Sequence, residues 1–145
     1  MARVQIRLPH KYIDALEATS RLLDSTADEV LSAGANVVEP RMRANLTAAI
    51  GRATTLPSRS TGQLLGALGV TSVKVSSKGA HNVKVGFAEN RRDGRSNALI
   101  ANVLEHGRSN QPARSFLAPT RSQTRRGAVE AMKTVLKAKL DGIQP

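Results

Sequence analysis

The stretch Val70–Glu89, VTSVKVSSKGAHNVKVGFAE, is where the chain changes period. Val73 and Val75 alternate with Lys74, and Val83, Val85 and Phe87 alternate with Lys84 and Gly86. A repeat of two sends successive side chains to opposite faces of an extended strand. Between the arms lies SKGAHN, carrying the glycine and asparagine that tight turns favour. The pattern predicts a β-hairpin over about 70–88. Its lysines face outward, and Val73, Val75, Val83, Val85 and Phe87 share one buried face. The runs on either side have helical spacing, so the hairpin decides the fold class. That class is α+β: a small antiparallel sheet built on the hairpin, packed with a long N-terminal helix, short middle helices and a C-terminal helix.

Toward the N-terminus, Ile13, Leu16, Leu23, Ala27, Val30, Leu31 and Val38 fall on helical spacing over residues 10–38. Pro9 suits a helix start, and Asp14 and Glu17 suit the positive end of the helix dipole. Pro40 has no N–H to donate, which predicts a kink or a break. Met42, Leu46 and Ile50 resume the spacing, and Gly51 is a plausible stop. The first third therefore reads as a helix pair or one kinked helix. RATTLPSRS (52–60) reads as a loop. STGQLLGALG reads as a short helix, with Ser60 or Thr61 as N-cap and Gly69 as terminator.

Beyond the hairpin, ENRRDGRSN is a charged loop holding Arg91, Arg92 and Arg95. NALIANVLEHG reads as a helix with Leu99, Ile100, Val103 and Leu104 apolar, closed by Gly107. Residues 119–140 read as the last helix, with Val129, Met132, Val135, Leu136 and Leu140 on one face. Lys133, Lys137 and Lys139 stand near its negative end, and Gly142 stops it. No repeat divides the chain. We expect one domain, 1–145, made of an N-terminal helical segment (1–50) and an α+β core (60–145).

The 145 residues include no cysteine, which leaves no disulfide framework and no thiolate metal site. No apolar run approaches the roughly 20 residues of a membrane span, so no membrane partner is expected. MARVQIRLPHKY lacks the apolar core and cleavage site of a signal peptide, and a soluble, intracellular product is expected. The net charge of +11 is unevenly placed. Residues 1–50 carry six basic and six acidic residues, and 51–145 carry sixteen and five. Such an excess attracts nucleic acid, an anionic membrane or an acidic protein surface.

The aromatics are only Tyr12, Phe87 and Phe116, too few for a base-stacking single-strand binder. His10, His81 and His106 are far apart, and no HExxH, GxSxG or phosphate-loop pattern is present. No enzyme activity, cofactor or metal is expected. His106 suits a helix C-terminus through the dipole alone. Arg121, Arg125 and Arg126 on the last helix, with Lys74, Lys78 and Lys84 on the hairpin, are able to meet phosphates. No helix-turn-helix, RNA-recognition or zinc-finger pattern accompanies them. A basic DNA-binding protein using the 52–145 surface is one reading, and a seat for an acidic protein neighbour is the other.

The join between the last two helices discriminates. Leu104–Thr120 reads LEHGRSNQPARSFLAPT. Gly107 can take positive φ, and Pro112 and Pro119 each lock φ. Phe116 and Leu117 are placed to plug a core, while Arg108 and Arg114 project. This run resembles the pattern (V/L)E-x-G-(T/R)-S-x-x-P-A-R-P-F-L-x-P-(A/T) of small phage virion proteins. These are the minor tail-component, or neck, proteins encoded between the head and tail genes of long-tailed bacteriophages. Thr61-Gly62-Gln63-Leu64 is similar to the TG-x-L helix start of the same family. The order of elements also agrees, so the resemblance spans most of the chain. Ser115 stands where the family has proline, which loosens the joint.

The resemblance implies a structural protein of the head–tail junction with a neck, tail-completion or tail-terminator role. Its implied partners are further copies of itself in a ring, six-fold or twelve-fold, that joins the capsid connector to the tail tube. Other neck, connector or tail-tube proteins, and non-specific contact with packaged DNA, complete them. Its implied place is the virion, after assembly in the host cytoplasm. For such a ring, charge places Arg108, Arg114, Arg121 and Arg125 on one side of the subunit contact. Asp24, Asp28 and Glu29 stand on the other. Gly107, Pro112, Phe116, Leu117 and Pro119 form the structural joint.

Overall fold

The structure, a computed structural model, describes residues 9–51, 60–88 and 94–142. The loop expected at 52–60 and the Arg91–Arg92 pair therefore lie almost wholly outside the described residues. Elements run α1 (His10–Gly51), α2 (Gln63–Gly66), β1 (Leu68–Val70), β2 (Lys74–Val75), β3 (His81–Asn82), β4 (Val85–Phe87), α3 (Asn97–His106) and α4 (Leu117–Asp141). The fold is α+β, with helices packed around a hairpin-like sheet.

α1 is one continuous helix with Pro40 inside it, neither broken nor divided into a pair. Pro40 and Asn36, whose carbonyl it cannot serve, both lie on the exposed side. The freed carbonyl there is open to solvent, which lowers the cost of the missing bond. α1 pairs antiparallel with α4. Asn45 Nδ2 donates to Thr120 Oγ1 at 2.9 Å and to Gln123 Oε1 at 3.2 Å. Farther along, Lys139 Nζ meets Glu29 Oε1 at 2.8 Å.

The α1–α4 seam is made of small and hydroxyl side chains. Thr26, Gly34 and Ala35 are buried on α1, and Thr120, Thr124 and Ala128 on α4. A Cβ on Gly34 would stand 2.9 Å from Met132 Sδ, so the absent side chain admits the methionine. Each buried threonine donates its hydroxyl to a carbonyl of its own preceding turn. Thr26 reaches Leu22 at 2.8 Å, Thr120 reaches Phe116 at 2.6 Å and Thr124 reaches Thr120 at 2.8 Å. Burial therefore leaves no orphaned hydroxyl. The expected apolar stripe of α4 is only partly buried, and Val129 and Leu140 are exposed.

The hairpin forms, beginning slightly earlier than expected. At its base β1 pairs antiparallel with β4, Leu68 opposite Phe87 and Val70 opposite Val85. Nearer the tip β2 pairs with β3, Lys74 opposite Asn82 and Val75 opposite His81. Paired numbers sum to 155 at the base and 156 at the tip, so the first arm carries one extra residue. Such an insertion interrupts the ladder and increases twist. Gly79, at φ 77°, closes the Ser76–Ala80 turn. The expected shared valine face is only half realised. Val85 and Phe87 pack on the core, Val73 and Val83 are half-buried, and Val75 is 62% exposed. The core lies under the base of the hairpin, and the tip runs past it.

That core gathers Met42, Leu46 and Ala49 of α1, Leu64, Leu68, Ala101 and Leu104, and Phe116. Arg43 holds the short middle segment against α1. Its guanidinium donates to the carbonyls of Leu65 at 3.1 Å and Leu68 at 3.0 Å, while Nε meets Glu39 at 2.8 Å. α2 is capped by Gly62 at φ 74°, not by a Ser60 or Thr61 side chain, and Gly69 lies within β1. Among the described residues no helix is long and apolar enough to cross a membrane.

Candidate assembly surface

The joint is held by a side chain that its sequence pattern conceals. Glu105 sits on the last turn of α3 and is 6% exposed. Its Oε2 accepts from the N–H groups of Phe116 and Leu117, both at 2.8 Å, and its Oε1 accepts from Ala118 N at 3.1 Å. Those donors are the first amides of α4, which no intrahelical carbonyl can serve. A carboxylate at that end also meets the positive pole of the helix dipole. Burial by itself raises the Glu105 carboxyl. The backbone donors Leu117, Phe116 and Ala118, with the neighbouring His106, outweigh it and hold the carboxyl below its ordinary value. Ser115, the departure from proline, donates its hydroxyl to the Glu105 carbonyl at 3.1 Å and gives the joint another tie.

Gly107 ends α3 at φ 74° and ψ −173°, a conformation essentially reserved for glycine. A Cβ there would lie 2.7 Å from both Gln111 O and Ala113 N. The chain then turns tightly, with Arg108 N donating to Gln111 O at 2.8 Å and Gln111 N to Arg108 O at 2.9 Å. Pro112 follows this turn on the surface, and Arg114 N ties back to Leu104 O at 2.8 Å. Phe116 is 0% exposed and meets Phe87 edge to face, with ring centroids 6.1 Å apart. Leu117 does not join it. As the first residue of α4 it points outward and is exposed, so the core plug is Phe116 alone. Pro119 stands in the first turn of α4, where its missing N–H breaks no helical bond.

The four arginines expected at a subunit contact divide. Arg121 and Arg125 are exposed on α4, and Arg108 is exposed with its Nε on Asn110 Oδ1 at 2.7 Å. Arg114 turns inward instead. Half-buried, it lies 3.5 Å from the Ala49 carbonyl at the C-terminal end of α1, where a cation is favoured. The acidic set divides too. Glu29 meets Lys139 of the same chain, Asp24 Oδ1 lies 3.4 Å from His81 Nε2, and Asp28 is exposed. Two of the three acids expected at a neighbour are therefore engaged inside the subunit.

Among the described residues no cluster of His, Asp or Glu could hold a metal ion. The exposed surface of α4 carries a shallow groove, lined by Ser122, Arg125, Arg126, Val129 and Glu130. Comparison with protein-family models, curated proteins and solved structures gives no match.

Proposed function

We propose that the chain is a structural subunit of the head–tail junction of a long-tailed bacteriophage, closing into a ring between capsid connector and tail tube. One observation carries the reading. The residues by which the sequence resembles neck proteins are those that build the joint. Glu105 caps α4, Gly107 occupies a backbone state that only glycine tolerates, Arg114 meets the end of α1 and Phe116 fills the core. The joint makes α3 and α4 one rigid piece, so the basic outer side of α4 is presented in a fixed orientation. A fixed, charged, shallow surface suits a protein neighbour better than a small substrate.

Reversing charge with Arg121→Glu and Arg125→Glu tests this. Both side chains are exposed, so the monomer should keep its melting temperature within a few degrees. Heads and tails made with the variant should fail to join, with infectious titre falling by orders of magnitude. Normal titres would show that the basic face is merely solvated.

A further inference from the structure

The first turns of α1 extend beyond the end of α4 among the described residues. The last tie between α1 and α4 is Glu29 to Lys139, and α4 ends at Asp141. Residues from His10 to about Asp24 therefore run past the end of α4. Three of their large apolar side chains are uncovered, with Tyr12 61% and Leu16 55% exposed and Leu23 exposed beside them, while Ile13 and Leu22 are half-buried. Spacings of four and seven put these three on one side of the helix. A flank of α4 carries a seam of the reversed pattern, Val129, Leu136 and Leu140, with Val129 and Leu140 exposed and Leu136 half-buried. Each seam covers twelve residues, about 16 Å of helix from first to last.

We propose that this overhang docks along that flank of α4 of a second copy. The contact rests on the ring reading above and supplies the half that reading lacks. α1 is unbroken from His10 to Gly51 and antiparallel to α4, so the overhang cannot fold back on its own α4. The occupant is another molecule, and charge selects a second copy. The overhang, residues 10–24, carries three acids and two bases, a slightly negative stretch in a chain of net +11 whose Asp24 already lies beside His81. Residues 121–139 of α4 carry six bases and one acid. Matched length, apolar seam against apolar seam and opposite charge define one register. Two different surfaces meet, so the contact repeats from copy to copy and closes into a ring where its rotation permits.

The chain contains no cysteine, which makes a direct test available. Single variants Leu23→Cys and Val129→Cys, which stand opposite each other when the two seams lie antiparallel, are purified, mixed at high concentration and treated with a short bis-maleimide. The same treatment is applied to assembled particles. Both sites are exposed, so circular dichroism and melting should match the parent. The mixture should give a covalent dimer that neither variant gives alone, and the double variant a ladder that stops at a fixed number. A dimer from Leu23→Cys alone would mean that two overhangs pair symmetrically, overturning the proposal. No mixed dimer in solution or in particles overturns it as well. Rings visible by negative stain whose subunits fail to crosslink overturn the docking but leave the ring reading standing. A ladder without an upper limit leaves the docking standing and overturns the ring.

Discussion

Two residues carry most of the joint. Phe116 is the only aromatic wholly withdrawn from solvent, among side chains from three helices and the hairpin base. Phe116→Ala should destabilise the chain by about 3–5 kcal/mol, the usual cost of emptying a large buried site, read as a lower denaturant midpoint. Glu105 acts through charge and hydrogen bonds. Its folded carboxyl is held below the ordinary glutamate value. The stability it contributes is therefore complete above that value and is lost as pH falls through the folded one. Glu105→Gln should cost about 1–3 kcal/mol at neutral pH, since an amide oxygen replaces a carboxylate facing three N–H donors. It should also flatten the acid limb of a stability–pH curve below about pH 5. An unchanged acid limb would mean that the cap is not ionised in the folded chain. Phe116 was legible in the sequence because aromatics are scarce and prolines frame it. Glu105 was not, because its partners are backbone amides eleven to thirteen residues away, and backbone donors leave no mark on residue identity.

At the scale of elements, periodicity found what a two-residue or helical repeat can encode. The hairpin and α3 are where their spacing puts them, and α4 begins two residues early because Glu105 serves its first amides. Pro40 left open a helix pair or one kinked helix, and a single helix forms, since a missing N–H breaks a helix only where the freed carbonyl has no other recourse. The α1–α4 seam was hidden for another reason. Threonine, glycine and alanine form no apolar stripe, yet they permit close approach and satisfy their own hydroxyls. Val129 and Leu140 looked like core for the converse reason: they are apolar at helical spacing, yet exposed. The joint between α3 and α4 gives this scale its prediction. Gly107→Ala should destabilise by about 3 kcal/mol or more, combining a strained backbone state with a 2.7 Å contact against unyielding backbone. A melt within two degrees of the parent would show that the turn re-forms freely and that the joint is not rigid.

At the scale of the molecule, the rigid joint, the basic α4 and the overhanging α1 describe a body whose surfaces are unlike one another at its two ends. A subunit built this way suits head-to-tail repetition better than two-fold pairing. The positive charge beyond residue 50 would also draw a ring toward packaged DNA without reading its sequence, because phosphate contacts carry no base information. The central claim is location, and gold-labelled antibody against the chain on purified virions tests it most directly. The label should fall on the junction between head and tail, in particles from which mass spectrometry also recovers the chain. Purified, infectious particles that lack the chain, or that bind the label only elsewhere, would contradict the assignment.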